Sequence, residues 1–290
     1  MRSGMANFKN CAVALVGVLA AWLSGGCRVF EDRDVCPSYL TVDMQGVDKS
    51  IREWQMWLFN GAGEMICKDT IYRRDYVAPY VIEVPRYGEV ECLLWGNIRG
   101  GTELEERYSQ GTTIIKLEDI PSDSLYSSRC IISTNGEESY LKVVPRKEFA
   151  TVELYLQGWV GIDFDIEAVL NCAKGGFYVN GDFYGNGVST RMEFSDLGNY
   201  YTKLSGRILR QPDTENILLS LFIRKREVDG SLGKVLVDLD IPIGMYLENN
   251  GYNIQSPDLS DIRLDVDYSY NQLVVKAEDW EAEYSLVEEI

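Results

Sequence analysis

Trp54-Gln-Met-Trp-Leu-Phe59 runs straight into Asn60-Gly61. An apolar, aromatic-rich stretch stopped by an Asn-Gly turn signal reads as a strand followed by its hairpin. Gly63 to Ile71 then supplies the partner strand. Upstream, Leu40, Val42 and Met44 alternate with polar neighbours, which is the period of a half-buried strand. Downstream, Tyr80–Val84 is a strand ended by Pro85, and the run from Gly88 to Trp95 alternates before reaching Gly96-Asn97. Residues 99–128 are more polar and rich in Gly, Ser and Thr, so they read as long loops with one short strand at 113–117. The β pattern resumes at Tyr140–Val144 and ends at Pro145-Arg146-Lys147, which marks the boundary between two halves.

The second half opens on Ala150-Thr-Val-Glu-Leu-Tyr-Leu156, where Val152, Leu154 and Leu156 share one face. Strands are predicted at 161–168, 176–179, 190–194, 204–209, 216–225, 233–241, 262–267 and 272–277, with Asn180-Gly181, Asn186-Gly187, Asp229-Gly230 and Asn250-Gly251 as turns. One weak helical segment is read at Glu167–Cys172. Many short strands at close spacing indicate an all-β chain of sandwiches or barrels, with one domain over 38–147 and a second over 148–290.

Composition excludes several chemistries. The chain has no histidine, so Ser-His-Asp and Cys-His catalysis, His-ligated zinc or haem, and an imidazole switch are unavailable to it. The formal charge is −17, which argues against direct contact with nucleic acid or anionic lipid headgroups. Of seven cysteines, Cys36, Cys67, Cys92, Cys130 and Cys172 lie beyond Cys27, without CxxC or metal spacing. One disulfide is compatible with an exported protein, but spacing does not choose the pair.

The first 26 residues read as an address. Arg2 and Lys9 precede an apolar run from Cys11 to Trp22, which small residues then close. That run is shorter than the roughly 20 residues of a membrane span. Leu23-Ser24-Gly25-Gly26-Cys27 resembles a bacterial lipobox, in which the peptidase cuts before a diacylated Cys27; a plain signal peptide with a chance cysteine is the alternative. Two or three acyl chains on one residue give a stable anchor. Removing 1–26 leaves 264 residues with a formal charge of −19. Residues 27–37 form an acidic linker, in which Glu31, Asp32 and Asp34 around Arg33 resemble the surface-export tag of Bacteroidetes lipoproteins.

One constellation invites catalysis. Asp163, Asp165 and Glu167 alternate along Gly161-Ile-Asp-Phe-Asp-Ile-Glu167, which resembles the glycoside hydrolase family 18 pattern and departs from it at Val160. That pattern belongs to a barrel strand flanked by βα units, and no amphipathic helices flank it here. The favoured reading is a strand with its acids toward solvent and Ile162, Phe164 and Ile166 toward the core. A calcium site on the same acids is a second reading.

Several stretches together resemble the fimbrillin-associated anchor lipoproteins of Bacteroidetes (Mfa2/FimB-like). These are the lipobox cysteine with its acidic tail, Cys36-Pro37 leading into Leu40-Thr-Val-Asp43, and the aromatic strand with its Asn-Gly turn. They continue with Val84-Pro85-Arg86, Leu94-Trp-Gly-Asn97, Ile262–Tyr268 and Val274–Glu281. The resemblance implies two tandem β-sandwich domains of transthyretin-like topology. It further implies an outer-membrane lipoprotein at the base of a fimbria that binds the stalk subunit, limits fibre length and performs no catalysis. It implies no cofactor and no metal. A surface glycan-binding lipoprotein using exposed Tyr and Trp is the alternative.

Overall fold

The alternation of Leu40 and Val42 becomes β1 (Ser38–Asp43), both side chains fully buried. The first half continues with β2 (Glu53–Asn60), β3 (Met65–Tyr72), β4 (Tyr80–Val84), β5 (Val90–Gly96), β6 (Thr102–Arg107) and β7 (Gly111–Lys116). It ends with β8 (Tyr126–Ile132), β9 (Glu138–Lys142) and β10 (Arg146–Lys147). The second half contributes β11 (Phe149–Gln157), β12 (Phe164–Cys172), β13 (Gly176–Tyr178), β14 (Phe183–Tyr184), β15 (Val188–Arg191) and β16 (Glu193–Gly198). There follow β17 (Tyr201–Leu209), β18 (Leu218–Arg226), β19 (Leu232–Ile241), the helix α1 (Ile243–Asn249), β20 (Ile262–Ser269), β21 (Gln272–Ala277) and β22 (Trp280–Ser285). This computed structural model describes residues 36–107, 111–157, 163–198, 201–249, 251–269, 272–277 and 280–285.

The chain is all-β, as its sequence predicts, and it builds two sandwiches. In the first, sheet β4-β1-β9 faces sheet β10-β8-β5-β2-β3 across a core that includes Leu40, Val42, Trp54, Met56, Leu58, Cys92 and Leu94. In the second, sheet β16-β17-β11-β20-β21-β22 faces sheet β15-β12-β18-β19 across Val152, Leu154, Leu156, Leu170, Leu219 and Leu264. Each half sets its first strand between an antiparallel and a parallel neighbour. β1 pairs antiparallel with β4 and parallel with β9, and β11 pairs antiparallel with β17 and parallel with β20. Parallel neighbours need a long crossover, so these pairs tie residues distant in sequence.

A fifth sheet, β14-β13-β7-β6, is the third sheet in the stack on the first sandwich and joins the halves, because β6 and β7 come from the first and β13 and β14 from the second. It covers the outer face of the five-stranded sheet, burying Trp57, Leu93, Trp95, Ile114, Phe177 and Val179 together. β2 and β5 are therefore buried on both faces. This explains why Met56–Phe59 and Cys92–Trp95 are continuously apolar where a half-buried strand would alternate.

Two sequence expectations are corrected. Residues 99–128 are not mainly loops: they carry β6, β7 and the start of β8. β6 is the outer strand of its sheet and reads Thr-Glu-Leu-Glu-Glu-Arg, charged because that edge meets water, so apolar periodicity is missing. Glu167–Cys172 is not helical: it is the second half of β12, with Ala168, Leu170 and Cys172 buried at a period of two. Helix α1 was not anticipated, since seven residues are too few to show a helical period. Gly251 lies in a turn, as expected, and that turn ends the helix at φ +75°, with Gly251 N–H on Glu248 O (2.9 Å) and Tyr252 N–H on Leu247 O (2.9 Å).

Candidate binding cleft between the two halves

The residues expected to carry the lipid anchor, Leu23, Ser24, Gly25, Gly26 and Cys27, lie outside the described residues, as do Glu31, Asp32 and Asp34 of the export tag. No helix among the described residues is long and apolar enough to cross a membrane.

The acidic run lies on β12 and at its entry. Phe164 and Ile166 pack against the second core, and the acids project from the other face. Asp165 pairs with Arg226 at 3.1 Å and Glu167 lies 3.6 Å from Arg191, so both carboxylates are matched by arginines on neighbouring strands. Asp163 precedes the strand and is exposed. Among the described residues, no group of three or more acids or cysteines is placed to hold a metal ion.

Among the described residues, one surface cleft lies where the third sheet meets the first sandwich. This cleft of about 400 Å³ is floored by Leu93 and Trp95 of β5 and by Ser127, Ser128 and Arg129 of β8. Val144, Arg146 and Glu148 form one wall, and the β13–β14 turn, Val179 to Asp182, forms the other. A second hollow of about 320 Å³ shares Leu93, Val179 and Asn180 and adds Phe59, Glu91, Thr112 and Tyr178. The turn thus crosses the outer face of the five-stranded sheet as a ridge with a hollow on either side.

Local chemistry holds that ridge. Gly181 adopts φ +94°, a region open to glycine, and Asn180 closes the turn by accepting Asp182 N–H at 3.1 Å. The Trp95 indole N–H donates to Val179 O at 2.8 Å. Arg129 donates to Glu91 at 2.6 Å and reaches Asn180 O at 3.4 Å. Gly176 lets β13 approach β7, since a Cβ there would sit 2.1 Å from Ile114 O.

Beneath the cleft lies a buried ion pair. Arg210 Nε is 2.6 Å from Glu148 Oε2, with Arg210 at 2% exposure and Glu148 at 3%. The guanidinium also donates to Ile254 O, to Lys147 O at 2.5 Å and to Ser256 O at 2.7 Å. Glu148 accepts Ser127 O–H at 2.5 Å, which links β8 to the second half. Burial pushes the Arg210 pKa down, and the Glu148 carboxylate opposes that shift. The pair fits the rule that a buried charge needs a hydrogen-bonded partner.

Sequence reasoning placed Asn180-Gly181 as a turn but gave no sign that it folds over β5, nor that Glu148 and Arg210 meet. The available signal was Trp95, an aromatic in a run with no polar alternate, which marks a strand covered on both faces.

No family profile and no curated protein matches the chain at the level of sequence. Solved structures do match. A candidate adhesin of Bacteroides thetaiotaomicron superposes with a TM-score of 0.62 at 12% identity, covering 85% of this chain and 98% of that one. The fimbrial anchor protein Mfa2 of Porphyromonas gingivalis gives 0.60 at 12% identity, covering 85% and 99%. A candidate polysaccharide-binding protein of Bacteroides thetaiotaomicron gives 0.59 at 14% identity, covering 88% and 99%. Over nearly the whole length of each of these three proteins, this chain has their all-β fold.

Proposed function

We propose that the protein is a lipid-anchored protein of the cell outer membrane that holds a fimbria at the cell surface by binding its stalk subunit, and that it works by binding without catalysis. The observation that carries this reading is the likeness to the fimbrial anchor Mfa2, which extends over 99% of that protein. The lipobox Leu23–Cys27 supports it independently from the sequence. In this reading acyl chains such as palmitate on Cys27 fix the chain to lipid, Glu31, Asp32 and Asp34 direct it to the outer face, and the sandwiches present sheet edges and the cleft to a protein partner. The ion-paired state of Asp165 and Glu167 favours a structural role for those acids.

The test is Cys27→Ala in the native host. Loss of the protein from the membrane fraction, with fimbriae shed or altered in length, supports the reading; fimbriae still attached and of unchanged length overturn it.

A glycan-binding surface lipoprotein is the second reading. It is favoured by Tyr178, Phe59, Glu91 and Asn180 around the smaller hollow and by the likeness to the candidate polysaccharide-binding protein. Calorimetry with surface polysaccharides separates the two, since an anchor gives no saturable heat.

A further inference from the structure

Spacing leaves the cysteine pairing open, but the sheet register brings one pair face to face. Cys92 on β5 stands directly opposite Cys130 on β8 in an antiparallel pair. The hydrogen-bond phase follows from two bonds at the strand ends. Asn97 N–H donates to Glu53 O at 3.1 Å, and Glu148 N–H donates to Leu125 O at 3.0 Å. Counting inward from either makes Cys92–Cys130 a pair of the hydrogen-bonded kind, whose Cα atoms lie about 5.5 Å apart. A disulfide takes a Cα separation of about 4.4–6.8 Å.

Two of the other thiols, Cys67 and Cys172, are excluded by position. Cys67 opposes Leu58, and Leu58 opposes Cys92, so two strand spacings, about 9–10 Å, separate Cys67 from Cys92. Cys172 lies in the core of the second sandwich, and burial pushes its pKa up to about 12.

We propose that Cys92 and Cys130 are a covalent modification site, closing as a cross-strand disulfide when the chain meets a protein thiol oxidant during export. The inference rests on the exported state argued above. The half-exposed Cys130 attacks first, as its thiolate, and forms a mixed disulfide with the oxidant. The Cys92 thiolate then attacks the Cys130 sulfur and releases the oxidant as a dithiol. Two electrons pass to the oxidant's disulfide, and the two thiol protons leave to solvent and the released dithiol. The asymmetry suits this order: the hydrogen bond between the two sulfurs holds Cys130 below the usual thiol range and raises Cys92. Cβ atoms of such a pair stand about 5 Å apart against roughly 4 Å in a disulfide, so the strands must draw together and the bond is readily reduced.

The bond would fence off the chain between β5 and β8, which includes the β6–β7 hairpin and hence half of the third sheet. It also pins β8, which carries Ser127 and Arg129 of the cleft.

The experiment recovers the full chain from the cell envelope, blocks free thiols with N-ethylmaleimide under denaturing conditions, and digests with trypsin without reductant. The expected product joins the peptide 87–99 to the peptide 130–142, two hydrogens lighter than their sum. It disappears in Cys130→Ser, and reduction lowers the Tm of the wild type by roughly 5–10 °C. Full alkylation of both cysteines in envelope protein, or linkage of either to Cys36 or Cys67, overturns the proposal. If the chain is not found in the envelope, the exported reading fails, and purified protein is then treated with oxidised glutathione. Selective closure of Cys92 with Cys130 supports the pairing, and alkylation of both after that treatment overturns it.

Discussion

The Trp95 indole N–H meets the Val179 carbonyl at 2.8 Å, joining residues 84 positions apart across the line between the two halves. Trp57, two strand-positions along the same buried layer, has an indole N–H without a partner among the described residues. The two tryptophans therefore differ in kind. Trp95→Phe removes a made bond and strips the Val179 carbonyl of its donor, whereas Trp57→Phe removes an unmet donor. Trp95→Phe should cost about 1–2 kcal/mol more than Trp57→Phe. Urea unfolding followed by circular dichroism measures the difference, and equal costs would contradict it.

Gly176→Ala tests the shared sheet. The added methyl collides with the Ile114 backbone, so β13 must retreat from β7 at a cost of about 1–3 kcal/mol. Amide exchange should accelerate at 112–116 and 176–178 while that of 152–156 stays slow. Uniform acceleration would mean that the sheet is not a separable layer.

Arg210→Ala leaves the buried Glu148 with Arg146, 3.5 Å away and half exposed, as its cationic partner, and should destabilise by about 3–5 kcal/mol. Glu148→Gln with Arg210→Met removes both charges, and the double variant should be more stable than Arg210→Ala. A double variant as unstable as the single one would show that the Arg210 bonds to Lys147 and Ser256 matter more than the charge pair.

Stability should fall at low pH. Hydrogen bonding from Lys203 holds the Glu153 carboxyl below 4.5. Burial pushes Asp261 up, but Lys147 and the Thr151 N–H together bring it below 3.8. Both groups have depressed folded values, so their contribution is fully present above about pH 4.5–5 and is lost as pH falls through the folded values. The thermal midpoint should hold steady between pH 7 and 5 and drop below pH 4. In Glu153→Gln with Asp261→Asn the drop should shrink.

The strand pattern was legible wherever one face meets water. Leu40 and Val42, or Val152, Leu154 and Leu156, alternate because each strand packs on one side only. The third sheet was not legible. β13 and β14 contribute five residues between them and β6 is a charged edge, so neither carries a pattern that shows over what it folds. The cleft was invisible for the same reason, since Leu93, Glu148 and Asp182 meet only through that layer. The acids at 163–167 invite a catalytic reading because a motif reads spacing alone, whereas the arginines that match two of them, Arg191 and Arg226, arrive on other strands.

The placement of β1 has a mechanical meaning. It begins at Ser38 and is gripped on both sides, with five residue pairs to β4 and five to β9. A load applied at Ser38 along the strand would pull β1 parallel to both of its ladders. Its backbone bonds to both neighbours would then carry the load together, in shear, and would not peel one at a time as in a hairpin pulled open from its ends. In the anchoring role proposed above, drag on a bound fibre would meet that two-sided grip at β1.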